Sequence, residues 1–291
     1  VDAPAIVTEA LSKRYGRQRG ILDLDLEVRP GEIFGYLGPN GAGKTTTIRL
    51  LLDLIRPTSG SASMLGLDSH HDSLAIRRRV GYLPGELSLY GNLTGAETLR
   101  YMGNLRGGLD WTYVQDLAKR LDCDLTRPIH ALSSGNRQKV GLIQAFMHRP
   151  ELLIMDEPTR DLDPLVQQVF HQMVLEAKQE GRTVFLSSHV LPEVERVCDR
   201  VGILREGRLV AVEEITTLKG RALRRLEVRF ASPVPREAFS SLAGMRDLRV
   251  EGPVLHCTVQ GPLDPLVKAL ARFPVLELDS REASPRASYP C

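Results

Sequence analysis

The chain has 291 residues, 42% hydrophobic and 25% charged, the balance of an ordinary globular protein with room for one large domain or two. Lys and Arg number 38 against 36 Asp and Glu, so the net charge is only +2, and no nucleic-acid partner is expected without a clear basic excess. No run approaches the roughly 20 apolar residues that cross a bilayer, and residues 1–10 lack the basic flank and apolar core of a secretory leader.

Taken in chain order, residues 33–37 form a short apolar run that ends in Gly38-Pro39-Asn40-Gly41-Ala42-Gly43-Lys44-Thr45. The segment fits G-x-x-x-x-G-K-[ST] between a predicted strand and a predicted helix at 45–54, so it reads as a P-loop. Its glycines let the backbone wrap closely and turn N–H groups toward an anion, and the helix start adds about half a positive charge. Lys44 is expected to reach the β- and γ-phosphates, and the Thr45 hydroxyl to ligate magnesium. Residues 93–121 read as a mainly helical lobe, and 135–148 as a further helix. Residues 152–155 form a second buried strand that delivers Asp156 and Glu157 at its C-terminal end, where α/β sheets place ligands. Asp156 suits a magnesium shell and Glu157 can polarise water for attack on a γ-phosphate; a plain acidic turn is the alternative. A helix at 164–180 and a strand at 183–186 follow. His189, just past that strand, can contact the γ-phosphate or position the water, although a lone histidine is more often structural. A strand at 201–204 continues the alternation. Strand and helix repeated in this way predict an α/β fold, a mostly parallel sheet covered by helices.

The tail changes pattern after Gly220. Strand 224–230, helix 236–242, strands 248–251 and 254–259 joined by a Gly252–Pro253 turn, helix 263–273 and strand 275–278 give the β-α-β-β-α-β order of a ferredoxin-like domain. Residues 284–291, rich in Pro, Ser and Ala, are expected not to fold. Cys123, Cys198, Cys257 and Cys291 are scattered without metal-ligand spacing, which suits reduced thiols in a cytosol.

Together these pieces resemble the nucleotide-binding subunit of an ATP-binding-cassette (ABC) transporter over residues 5 to about 220. The most specific element is Leu132-Ser133-Ser134-Gly135-Asn136-Arg137-Gln138, which is similar to the family signature L-S-G-G-Q and stands shortly before the acidic strand. Ser133 and the Gly135 backbone would cap a helix whose positive end can face a γ-phosphate. The resemblance implies that Gly38 to Thr46 (Gly38, Pro39, Asn40, Gly41, Ala42, Gly43, Lys44, Thr45 and Thr46) bind ATP. It also implies that Tyr15 stacks on adenine and that Ser133 and Gly135 act in trans across a dimer. Thr45 and Asp156 would hold Mg2+, with Glu157, His189 and Lys44 catalytic. Arg160-Asp161-Leu162-Asp163 would occupy the interfacial D-loop. Val80-Gly81-Tyr82-Leu83-Pro84, Asn136-Arg137-Gln138-Lys139-Val140 and Ser187-Ser188-His189-Val190-Leu191 resemble ATPases serving ABC-2-type exporters, including drug-efflux systems.

Four positions depart from that pattern. Gly85 stands where the family usually has glutamine, and Glu86 follows it. The signature carries Ser134 and Asn136 in place of Gly and Gln. Asp161 replaces a Gly or Ala, adding like-charge repulsion near a triphosphate. Pro285 and Pro290 interrupt a tail that commonly continues into a short helix. The resulting expectation is an α/β P-loop NTPase of the ABC cassette type at 1–220, with a helical subdomain at about 86–148. A small α+β ferredoxin-like domain follows at 221–283, then the unfolded end at 284–291. Its function would be ATP hydrolysis in a homo- or heterodimer that powers a separate integral membrane permease from the cytoplasmic face of the cell membrane. The loop around Gly85, with Leu87, Leu89 and Tyr90 exposed, is expected to meet that permease. A soluble ABC ATPase without a permease, or a hydrolytically weak nucleotide sensor, are the alternatives.

Overall fold

The computed structural model describes residues 3–16, 18–221, 223–240, 242, 244–261 and 263–282, so the Pro-rich end at 284–291 lies outside the described residues. Two compact units divide between Glu213 and Glu214, seven residues ahead of the boundary expected after Gly220.

In the first unit, six strands lie side by side in the order Arg208–Glu214, Arg200–Arg205, Ile33–Leu37, Thr183–Ser188, Leu152–Asp156 and Val80–Leu83. The pairs from Arg200–Arg205 through Val80–Leu83 are all parallel. Every residue of Leu152–Asp156 and of Thr183–Ser188 is buried, which is why these strands read as unbroken apolar runs instead of alternating ones. Register does the positional work. Leu37 pairs with Ser188 and Asp156 with Ser187, so the three central strands end level with one another. Whatever follows Leu37, Asp156 and Ser188 must therefore meet at one edge of the sheet, the carboxyl edge where such folds bind ligands.

A second, antiparallel sheet runs in the order Gln18–Val28, Ile6–Tyr15, Ser59–Met64 and Leu67–Asp68. It is absent from the sequence-based expectation, and the reason is local. Register shifts interrupt the pairing between Thr8 and Leu11 and again on either side of Lys13, and Ala10 sits at φ +45°. Such bulges break the strict alternation by which a strand is recognised. The strand Arg208–Glu214 was likewise not foreseen, because its partly exposed edge carries as much charge as apolar surface.

One core cluster draws on both sheets and on the helix Lys44–Leu51. It contains Ile6, Leu24 and Val28 from the antiparallel sheet, Phe34, Leu152 and Phe185 from the parallel one, and Ile48 and Leu51 from the helix. Phe34 and Phe185 stack with centroids 5.9 Å apart. The helical segment resolves into Gly95–Asn104 and Trp111–Arg120, separated at Gly107 and Gly108, whose φ values of +91° and +138° no helix accommodates. The helix Ser134–Phe146 follows. Leu87 and Leu89 are half-buried rather than exposed; only Tyr90 is exposed, edge-on to Tyr101.

The second unit has strands Leu223–Phe230, Met245–Glu251, Val254–Gln260 and Val275–Glu282 with short helices Glu237–Ser240 and Asp264–Leu270. The sheet is antiparallel in the order second, third, first, fourth, the ferredoxin-like arrangement. Its core packs Leu226, Val228, Leu255 and Val259 against Phe239, Leu266 and Leu270. Among the described residues, no helix is long and apolar enough to cross a membrane.

Candidate nucleotide site

The loop after Ile33–Leu37 turns where glycine alone is comfortable. Gly41 and Gly43 lie at φ +80° and +112°. A Cβ on Gly43 would stand 2.4 Å from Ile21 Cδ1, and one on Gly38 would stand 2.6 Å from the Leu204 carbonyl oxygen. The helix Lys44–Leu51 begins at Gly43 with no side-chain cap, which leaves its first amides available to an anion. Lys44 is buried. Its Nζ donates to the Gly38 carbonyl at 2.6 Å and pairs with Glu157 Oε1 at 3.1 Å.

The strand Leu152–Asp156 brings Asp156 to the same edge. The Thr45 hydroxyl donates to Asp156 Oδ2 at 2.6 Å, and Ser187 donates to Oδ1. Ser187 Oγ in turn accepts from the Glu157 backbone N–H at 3.1 Å. Glu157 turns away from the strand at φ +50°, a left-handed conformation costing about 1–2 kcal/mol for a side-chain-bearing residue. That turn places its carboxylate between Lys44 and His189, whose Nδ1 lies 2.9 Å from Glu157 Oε2. His189 is 53% exposed.

These groups line an open cleft of about 520 Å³. Pro39, Asn40, Gly41, Gly43, Lys44, Thr45, Thr46, Asp156, Glu157 and His189 all face it, so ten of the residues expected from sequence converge there. Gly38 and Ala42 shape the loop without lining the cleft. Tyr15 is also outside the lining; its ring is 45% exposed with Lys13 Nζ 5.5 Å from its centroid. Ser133 and Gly135 do not line this chain's own cleft. Ser133 caps the helix Ser134–Phe146 by accepting from Asn136 N at 3.3 Å, and a Cβ on Gly135 would stand 2.5 Å from the Asp161 carbonyl oxygen.

Sequence reasoning missed several members. Arg49, Tyr82 and Arg160 line the cleft beside Gly85 and Glu86. Burial, followed by the nearby Asp156 charge, pushes the Tyr82 phenol up to about 12, so it stays protonated. A Cβ on Gly85 would meet Asp156 Oδ2 at 3.0 Å. Ser187 was read only as part of a strand flank. No sequence signal marks it, because its role depends on pairing with Asp156 across the sheet. The Thr45 hydroxyl and the buried Asp156 carboxylate form an all-oxygen donor set, which fits a hard cation such as Mg2+.

A second cavity, about 850 Å³, lies in the same unit among Leu52, Leu54, Leu74, Met102, Leu105 and Met147. Tyr82 is the one residue common to both linings.

The family model described as "ABC transporter" matches residues 21–160. The bacitracin transport ATP-binding protein BcrA of Bacillus licheniformis is 38% identical over 228 residues, covering 76% of this chain and 74% of that protein. The linearmycin resistance ATP-binding protein LnrL of Bacillus subtilis (strain 168) is 34% identical over 218 residues, covering 73% and 70%. A solved structure of the ATP-binding subunit of an ABC transporter superposes with a TM-score of 0.68 at 32% identity, over 74% of this chain and 92% of the other. A dimeric bacterial ABC transporter cassette shares the fold at a TM-score of 0.65 and 21% identity, over 72% of this chain and 98% of the other.

Proposed function

The chain belongs to the ABC transporter family as an ATP-binding subunit, and from that premise we propose that it closes around ATP as a dimer and drives a separate ABC-2-type permease exporting drugs, lipids or other small molecules. The observation that carries the reading is the convergence of Lys44, Thr45, Asp156, Glu157 and His189 on one cleft at the carboxyl edge of the sheet.

The chemistry asked of these residues is positioning and charge stabilisation, as phosphoryl transfer requires. The loop amides and Lys44 grip the β- and γ-phosphates. Thr45 and Asp156 would hold Mg2+, which neutralises charge on the phosphate oxygens when bound. Glu157 polarises the attacking water; His189, bonded to Glu157, contacts the γ-phosphate or orients that water. Water adds to the γ-phosphorus, the bond to the bridging oxygen breaks, and ADP and phosphate leave. Ser133 and Gly135 belong to the partner's site: they cap a helix start that this chain's own cleft does not use. A bacterial cassette of the same fold is itself dimeric, which supports the proposed pairing of two copies.

The names of the bacitracin and linearmycin relatives support drug export as the work done. The cavity beside Leu105, which is 69% exposed, has leucine and methionine walls together with Arg77, Arg78 and Arg106, and it is the surface we assign to the permease, with the chain held at the cytoplasmic face of the membrane through it. The 1–220 part is then the motor, and the ferredoxin-like unit an accessory to it. Titration with Mg-ATP tests the reading. The wild-type chain takes up nucleotide, and Lys44→Ala, which removes the buried ammonium, abolishes uptake; equal binding by the two proteins refutes the site.

A further inference from the structure

Two segments carry the groups that face the attacking water in the proposed reaction. Glu157 begins the loop Glu157-Pro158-Thr159, and His189 lies just past the end of the strand Thr183–Ser188. Their direct link is one contact, His189 Nδ1 to Glu157 Oε2 at 2.9 Å, made by a half-exposed imidazole. Such a contact does not by itself fix the separation of two loops.

A second link does. Glu193, in the first turn of the helix Leu191–Val197, accepts on the single oxygen Oε2 from two hydroxyls. One is Thr159 Oγ1 at 2.9 Å and the other Ser188 Oγ at 2.9 Å. Ser188 Oγ accepts from Val190 N at 3.0 Å, so its proton is committed to Glu193. Thr159 and Ser188 are both buried. Thr159 is two residues from Glu157, and Ser188 is adjacent to His189. The circuit is therefore closed: Glu157 to His189 by hydrogen bond, His189 to Ser188 by the chain, Ser188 to Glu193 to Thr159 by hydrogen bonds, and Thr159 back to Glu157 by the chain.

We propose that Glu193 is a positioning residue for ATP hydrolysis, setting the spacing of Glu157 and His189 by clamping Thr159 to Ser188. The proposal rests on the functional reading above. It asks nothing of the carboxylate's charge, only of one acceptor oxygen at that reach. A glutamine carbonyl can take both hydroxyl protons. An aspartate, one methylene shorter, cannot span to them.

The test is steady-state hydrolysis with Mg-ATP affinity measured separately by a fluorescent ATP analogue. Glu193→Ala and Glu193→Asp are expected to lower kcat about 10-fold or more, as sub-ångström misplacement of catalytic groups does, while nucleotide affinity stays within about 2-fold. Glu193→Gln is expected to keep kcat within about 3-fold of wild type. Thr159→Val removes one hydroxyl at nearly constant volume and is expected to lose several-fold in kcat; it serves where Glu193→Ala does not fold. Wild-type kcat in Glu193→Ala or Thr159→Val, a Gln variant as poor as Ala, or affinity falling in step with kcat each overturns the proposal. A wild-type chain that binds no Mg-ATP overturns the functional reading itself, whereas an active Glu193→Ala overturns this inference alone.

Discussion

Asp161 and Glu157 share an unusual backbone: φ is +61° at the first and +50° at the second. Asp tolerates the left-handed region better than Glu, since its short carboxyl hydrogen-bonds locally. At Glu157 the strain coincides with the contacts to Lys44 and His189, the pattern expected of a functional turn. At Asp161 nothing comparable is gained. Its side chain is exposed, outside its own cleft, while its carbonyl oxygen lies against Gly135. Asp161→Gly therefore keeps the fold, with melting unchanged within about 2 °C because relieved strain offsets added unfolded-state freedom. In the proposed ATP-bound dimer, removing an exposed like charge worth about 0.5–1 kcal/mol is expected to tighten association a few-fold, which analytical ultracentrifugation would detect. Lys44, Thr45, Asp156 and Glu157 were legible in the sequence because each is fixed by a neighbour in the chain. Ser187, Thr159 and Glu193 were not, because what they do depends on partners 31, 34 and 34 residues away.

Among elements, the helix Gly95–Asn104 has the most explicit start signal. Thr94 Oγ1 accepts from Glu97 N at 3.2 Å, and Glu97 Oε2 accepts from Thr94 N at 2.8 Å, a reciprocal capping box. Thr94→Ala should cost about 1 kcal/mol and lower the melting temperature about 2–4 °C, while Thr94→Ser should cost little. Thermal unfolding by circular dichroism separates the two. The same contrast explains which elements could be read in advance. The strand Leu152–Asp156 is buried on both faces, so its residues are uniformly apolar up to the acid at its end. The strand Ile6–Tyr15 is half-exposed and bulged, so its apolar residues fall out of step with any single period. The glycine pair at 107 and 108, to which the sequence reading gave no weight, splits the lobe into two helices.

Over the whole molecule, pH acts on stability through a group that does not line the nucleotide cleft. Burial, followed by the charge of Arg106, pushes the His148 imidazole down to about 4 from 6.5, while its hydrogen bond to the Val80 carbonyl works the other way. Folding therefore favours the neutral ring. Its contribution is complete above pH 6.5 and is lost as pH falls toward about 4, because the unfolded chain takes up a proton that the folded chain refuses. Melting temperature should fall between pH 7 and 5, and His148→Gln, which can still donate to Val80, should flatten that slope. Buried His171, also pushed down by burial and then by Arg196, leaves a residual slope. Tyr82 has a different reach. One phenol is a wall of both the nucleotide cleft and the second cavity, whose lining mixes leucines and methionines with Arg77, Arg78 and Arg106. It hangs from a strand whose Val80, Gly81 and Leu83 are buried and whose neighbour is the strand ending in Asp156. Any shift of that one ring therefore reshapes two hollows at once, so a bulkier or smaller side chain at position 82 alters both together.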